Sequence, residues 1–345
     1  TGVVVVDEIE LHLHSILQRE VLPKLIALFP KVQFIITTHS PLFLLGMEEQ
    51  FGTEGFEIYE MPQGLKINAE RFSEFQKAYT YLTNTQQYEQ AIYDAVSNKQ
   101  DKMLIVTEGT TDWKHMKAAY NKLSHMPEYA ELFTGFEFEF LEYEPNNSSQ
   151  STKVKLEMGN GQLVSLCENM AKIMQKRKMV FIADRDHNDT NKKLGGKDGN
   201  QFKKWGNNVY SFILPIPDFR TATPGICIEH LYSDEVIKTE IETQNPNVKR
   251  RLYMGNEFDR RGYAPSLGVI CEKKAVCGPE KINIIEGSTG ERVTLLDDEN
   301  INMALSKMTF ANLMLEGKTP FDEVDFKPFV PIFDILKKIY LDSDI

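Results

Sequence analysis

"LIVTEGTTDW", residues 104–113, decides the fold of the longer part of the chain. An apolar run stops at Glu108-Gly109 and reaches Asp112 four residues after Glu108. The run reads as a strand buried on both faces, and "TDWKHMKAAYNKL" after it has helical period. A helix beginning near Thr110 turns both carboxylates toward one point beyond the strand end. "FIADRDHND", 181–189, supplies the partner: Asp184 and Asp186 stand two apart at the end of a second buried strand and can lean to one side. Open α/β sheets place their sites at the carboxyl ends of their strands. Hard oxygen ligands at this density suit Mg2+ or Mn2+ rather than zinc. Gathering four such charges with no cation is costly.

Working outward, "FEFEFLEYE" (136–144) alternates strictly and predicts a strand with one wet face. "QLVSLCENMAKIMQK" predicts a helix, and "KMVFIAD" and "NVYSFILPI" predict strands. Beyond Glu229 the pattern is mostly helical, over 232–243, 300–316 and 328–341. Glu286-Gly-Ser-Thr-Gly290 echoes Glu108-Gly-Thr-Thr, but no Asp follows it, and it reads as a surface turn.

Towards the start, "GVVVVDE" (2–8) is a β-branched run read as a strand buried on both faces. "HSILQREVLPKLIALF" has helical period with a kink expected at Pro23. "KVQFIITTHSP" is a second buried strand. The order β-α-β predicts a parallel pair with a crossover helix. "FEIYEMPQGLKIN" predicts a hairpin turning at Gly64, and residues 70–100 read as a helical, polar connector. The chain is inside a strand by Val3, so it is read as the C-terminal portion of a longer polypeptide.

The length of 345 residues exceeds one ordinary core and implies at least two domains. A net charge of −11 excludes a general basic face for nucleic acid, so a polyanion is met by local clusters or by metal ions. The basic clusters Lys172–Lys178, Lys192–Lys204 and Lys249-Arg250-Arg251 are each first of all solvated surface. The four cysteines form no CxxC and read as free thiols of a reducing cytosol. No signal peptide and no membrane-spanning run is seen, so a cytoplasmic protein with no membrane partner is expected.

Two constellations carry resemblances. Asp7 and Glu8 end the first strand in "DEIELHLH", and His39 ends the next in "TTHSP". Together they resemble the ATPase heads of the ABC superfamily. The resemblance implies that Asp7 holds the Mg2+ of ATP, that the adjacent Glu8 polarises the attacking water, and that His39 is the switch histidine at the γ-phosphate. No GxxxxGK[ST] loop and no LSxGE-like signature occurs in residues 1–345, so this stretch alone is expected to bind ATP poorly.

E-G-x-x-D after one strand and D-x-D after a later one resembles the TOPRIM domain. Carried over, Glu108 serves in acid–base chemistry or metal binding, and Asp112, Asp184 and Asp186 bind metal. An ABC-type ATPase portion followed by TOPRIM resembles the OLD (overcoming lysogenization defect) family of nucleases, over about residues 1–320. In that resemblance Glu229 of "GICIEHLY" is a further metal ligand, and Lys307 of "LSKMTFAN" faces the scissile phosphate. The implied fold is α/β: residues 1–69 the C-terminal portion of an ABC ATPase sheet, 70–100 the connector, 101–345 a TOPRIM nuclease domain with a helical C-terminal part. The implied activity is metal-dependent DNA cleavage with two Mg2+ or Mn2+ ions, coupled to ATP hydrolysis. Also implied are homo-oligomers built through the ATPase domain, a role in anti-phage defence, and partner proteins or nucleic acid of a defence system. Two other readings remain: an ATP-dependent DNA clamp or scaffold with a non-cleaving TOPRIM domain, and a topoisomerase- or primase-like enzyme. For the last two, the tyrosine-bearing gate and the polymerising region are not evident.

Overall fold

The computed structural model describes residues 2–14, 17–52, 55–67, 102–144, 154–155, 158–197, 199–242, 248–288 and 291–342. The chain divides into two compact units, residues 1–90 and 91–345. The expected connector over 70–100 lies outside the described residues.

In the first unit β1 (Gly2–Val6) and β2 (Val32–Ile36) pair in parallel, with Val6 opposite Ile36. A wide π-helical turn at Leu17–Val21 leads into α1 (Leu22–Ala27), with Pro23 in its first turn. The helical backbone runs on through Val21, so the irregularity expected at Pro23 falls where the helix changes from π to α. α2 (Pro41–Phe51) follows β2, its first turn capped by Ser40, whose Oγ accepts from the Phe43 amide at 3.2 Å. β3 (Ile58–Glu60) and β4 (Leu65–Ile67) form the expected hairpin, with Gly64 at φ +66° in its turn. The expected burial fails on both strands: Val3 is 60% and Val5 72% exposed, so β1 is not buried on both faces, and with Gln33 exposed and Ile35 51% exposed neither is β2. A β-branched run sets the strand's chemistry on both faces but not what covers them.

The second unit is built on a five-stranded mixed sheet. Its strands are β5 (Met103–Thr107), β6 (Phe138–Phe140), β7 (Met179–Ala183), β8 (Lys203–Gly206) and β9 (Val209–Ile213), in the order β8-β9-β7-β5-β6. All neighbours are parallel except the β8–β9 hairpin. β5, β7 and β9 are the apolar runs read from the sequence, and all residues of β5 and β7 are buried. α3 (Asp112–Leu123), α4 (Asn160–Met170) and α5 (Asn188–Leu194) lie between strands in the chain. The sheet's register sets Thr107 opposite Ile182 and Ala183 opposite Ile213, so three strands end level, at one edge.

Three expectations in this unit need correction. The alternating 136–144 stretch is a strand only over Phe138–Phe140, then jogs to a two-residue strand, Tyr143–Glu144. There the Trp113 indole donates to the Tyr143 carbonyl at 3.1 Å and the Tyr143 hydroxyl donates to the Thr107 carbonyl at 3.1 Å, which pulls the segment off the ladder. The helix expected over 232–243 is one turn, Asp234–Ile237. The stretch beyond it is β-rich, with an antiparallel four-stranded sheet of β10 (Tyr263–Ala264), β11 (Val269–Cys271), β12 (Val293–Leu295) and β13 (Asp298–Asn302). Residues 300–302 are thus strand, and the expected helix begins only at Lys307, as α6 (Lys307–Glu316). α7 (Val330–Leu341) closes the domain, packing Phe333 against Phe133, Phe138 and Tyr120. Among the described residues no helix is long and apolar enough to cross a membrane.

Candidate functional site

In the first unit the ends of β1 and β2 are tied by one hydroxyl. Thr37 Oγ1 donates to Asp7 and accepts from the Glu8 amide at 2.8 Å. Glu8 sits at φ +46°, a left-handed conformation unusual outside glycine. Asp7, Glu8 and His39 are all exposed at this end of the parallel pair. Sequence reasoning passed over Glu10, whose carboxylate accepts from the His39 amide at 2.6 Å. Burial alone would raise the Glu10 carboxyl; hydrogen bonds from Thr38 and His39 outweigh it and hold it below its ordinary value.

In the second unit Glu108 follows β5, Asp184 and Asp186 follow β7, and the Asp184 amide donates to Glu108 Oε2 at 3.3 Å. Asp112 opens α3 and folds back onto the turn before it, where Oδ2 accepts from the Gly109 amide at 2.7 Å. That turn has no room for a side chain at 109: a Cβ there would stand 2.8 Å from Asp112 Oδ1. The Arg185 amide donates to the Ile226 carbonyl at 2.8 Å, tying the segment that leads into the next turn to the end of β7. This delivers Glu229, fully buried in a 3-10 turn over Ile228–Leu231. From across the site, Lys307 donates to Glu229 Oε2 at 3.0 Å and lies 3.7 Å from Cys227 Sγ.

The charges register one another. Burial, then the charges of Asp112 and Asp186, push Glu108 up to about 7. Burial and Glu229 push Asp112 up to about 6, and burial with Asp112 and Glu108 raises Asp184 well above its ordinary value. Glu229 goes the other way. Burial works to raise it, but Lys307, His115 and Cys227 outweigh that and hold it at about 2. For Lys307 burial opposes the charge, and Cys227, Glu229 and Asp184 raise it well above the usual amine range. Asp186 is exposed and lines a cleft of about 340 Å3 with Cys227, His230, Glu286 and Lys307.

Sequence reasoning missed several of these groups. Glu286 is no surface turn: it is buried and accepts from the Ser288 amide at 3.0 Å and the Lys307 amide at 3.3 Å. Cys227 and His230 support the Glu229 turn, with His230 Nδ1 accepting from the Cys227 amide at 3.0 Å. The C-x-x-H spacing in "GICIEHLY" was the available signal. Of the basic clusters, Lys178 and Arg251 are structural. Lys178 donates to the carbonyls of Ile339 and Tyr340, and Arg251 pairs with Glu257 at 2.7 Å.

The donor set is all carboxylate oxygen, one buried oxygen of it, Glu229 Oε1, has no hydrogen-bond partner, and three of its members are raised by burial and by each other's charge. These residues fit a hard divalent cation. As they stand, no three His, Cys, Asp or Glu side chains among the described residues are grouped closely enough to cage one. The Lys307 ammonium sits on Glu229 Oε2 at 3.0 Å.

The segment whose parallel strand pair ends in Asp7-Glu8 and His39 is similar to ATPase domains. Residues 1–45 match the family described as "AAA domain, putative AbiEii toxin, Type IV TA system". The chain is 54% identical over 69 residues, 20% of its length and 12% of the relative's, to the retron Ec83 probable ATPase of Escherichia coli. It is 54% identical over 43 residues to the retron Vc95 probable ATPase of Vibrio cholerae serotype O1 biovar El Tor, covering 12% of this chain and 8% of that one. To the Septu protein PtuA of Bacillus mycoides (strain KBAB4) it is 50% identical over 46 residues, 13% of this chain and 6% of that one. The chain thus spans about an eighth or less of the length of each of these relatives.

Proposed function

We propose that the chain is a metal-dependent DNA endonuclease of the OLD type, with a TOPRIM site in its second unit and part of an ABC-type ATPase in its first, acting in anti-phage defence. The observation that carries this reading is the convergence of Glu108, Asp112, Asp184 and Glu229 on Lys307 at the carboxyl ends of parallel strands. The similarity of its N-terminal segment to retron and Septu ATPases supports the defence role.

Glu108, Asp112, Asp184, Asp186 and Glu229 would hold Mg2+ or Mn2+. The ions would supply positive charge at the phosphodiester and acidify the attacking water. Glu108, beside those ligands, would either bind metal or take the proton from the attacking water. Lys307, fully charged, offsets negative charge on the phosphorus or protonates the leaving 3′ oxygen. The cations also bring a polyanion to a chain of charge −11. In the ATPase, Asp7 would hold the nucleotide's Mg2+, Glu8 would orient water and His39 would meet the γ-phosphate.

Incubating supercoiled plasmid with the chain tests the reading. Nicked or linear product is expected with Mn2+ or Mg2+ and none with excess EDTA. Intact plasmid retained as a protein complex in every metal would point to a clamp that binds without cutting.

A further inference from the structure

His115 is used nowhere in the chemistry above, yet it is fully buried on α3, one turn past Asp112. Its ring is wedged between Tyr232 and Phe310, centroids 5.4 and 5.7 Å away. Nδ1 meets the Tyr232 hydroxyl at 2.9 Å. Nε2 has no hydrogen-bond partner among the described residues, and neither has Glu229 Oε1. The two atoms belong to elements packed on each other, and the two groups act on each other electrostatically. Two buried polar atoms left without partners, on elements that pack together, is a rare and costly arrangement.

We propose that His115 is a positioning residue for Glu229: the Tyr232 hydroxyl donates to Nδ1, Nε2 keeps the ring proton, and Nε2–H donates to Glu229 Oε1. The opposite tautomer would turn a nitrogen lone pair toward a carboxylate oxygen and leave the phenol proton with no acceptor. Lys307 already fixes Oε2 at 3.0 Å. With His115 on the other oxygen, the carboxylate is held from both sides and its plane is set. A ligand carboxylate oriented in this way binds metal more tightly than one free to rotate. This second consequence rests on the nuclease reading; the tautomer does not.

Two measurements on the whole chain separate them. In metal-free protein labelled with 15N-histidine, long-range 1H–15N correlation spectra, assigned with His115→Gln, should show His115 as the neutral Nε2–H tautomer, and its Nε2 proton should shift in Glu229→Gln. A Nδ1–H tautomer overturns the proposal. Mn2+ titration should show affinity about 10–100-fold lower in His115→Leu. His115→Gln, which keeps an amide donor, should recover part of it. Equal affinity in all three proteins removes the positioning role. No Mn2+ binding by the unaltered chain overturns the metal-orienting half and the nuclease reading with it, while the tautomer result stands.

Discussion

Lys307 holds Glu229 in the metal-free chain, so the two halves of its proposed role come apart on mutation. Lys307→Ala removes a stabilising charge at the phosphate but no metal ligand. Plasmid cleavage should fall about 10²–10³-fold, while Mn2+ binding persists, because a lysine is no metal ligand. A parallel collapse of Mn2+ binding would show the lysine to be structural. The carboxylates give a second prediction at the same scale. Glu108 at about 7 and Asp112 at about 6 hold protons longer folded than unfolded. Their contribution therefore favours the fold at low pH and is lost as pH rises through about 6 and 7. Glu229, at about 2, has the opposite sign but stays ionised throughout that window. Buried His115, held at about 4, and His230, also lowered, have the opposite sign in this window, so the readout is a difference. Going from about pH 5.5 to about pH 7.5 should lower the melting temperature of the metal-free chain relative to that of Glu108→Gln, and saturating Mn2+ should flatten the difference. An identical pH dependence in the two proteins contradicts the gathered charge. The motif acids were legible because they sit at the ends of apolar runs. Glu10, Glu286 and His115 were not, because a lone acid or histidine in sequence carries no sign of what it will face.

At the scale of elements, the turn between β5 and α3 depends on Gly109, since any Cβ there meets the Asp112 carboxylate. Gly109→Ala should move that carboxylate and lower Mn2+ affinity about tenfold, the low end for disturbing a ligand's support. Circular dichroism should be unchanged. Unaltered affinity on titration would mean that Asp112 is free of that turn. Strands β5, β7 and β9 were readable because each is a continuous apolar run. The four-stranded β10–β13 sheet was not, because its strands are two to five residues long and show too little alternation to set a period. The start of α6 was misread for a related reason. Asn300-Ile-Asn-Met continues an apolar spacing, and the informative residue was Ser306, whose Oγ accepts from the Thr309 amide at 3.0 Å and fixes Lys307 as the first helical residue.

On the scale of the whole molecule, the chain joins an ATPase-like segment to a second unit whose acids gather at one sheet edge, and the proposal assigns cleavage to that edge alone. Asp184 is the residue on which the most of that site depends: it is half-buried, next to Glu108, and its charge is felt by Lys307. Replacing it relieves repulsion in the metal-free state, so Asp184→Ala should fold as well as the unaltered chain or melt slightly higher. The decisive comparison is Mn2+-dependent plasmid cleavage by the unaltered chain and by Asp184→Ala, at equal concentration and with matched melting curves. Cleavage by the first and none by the second is expected. Equal cleavage by both, or cleavage by neither in Mn2+ or Mg2+, would contradict a metal-dependent nuclease site at this sheet edge.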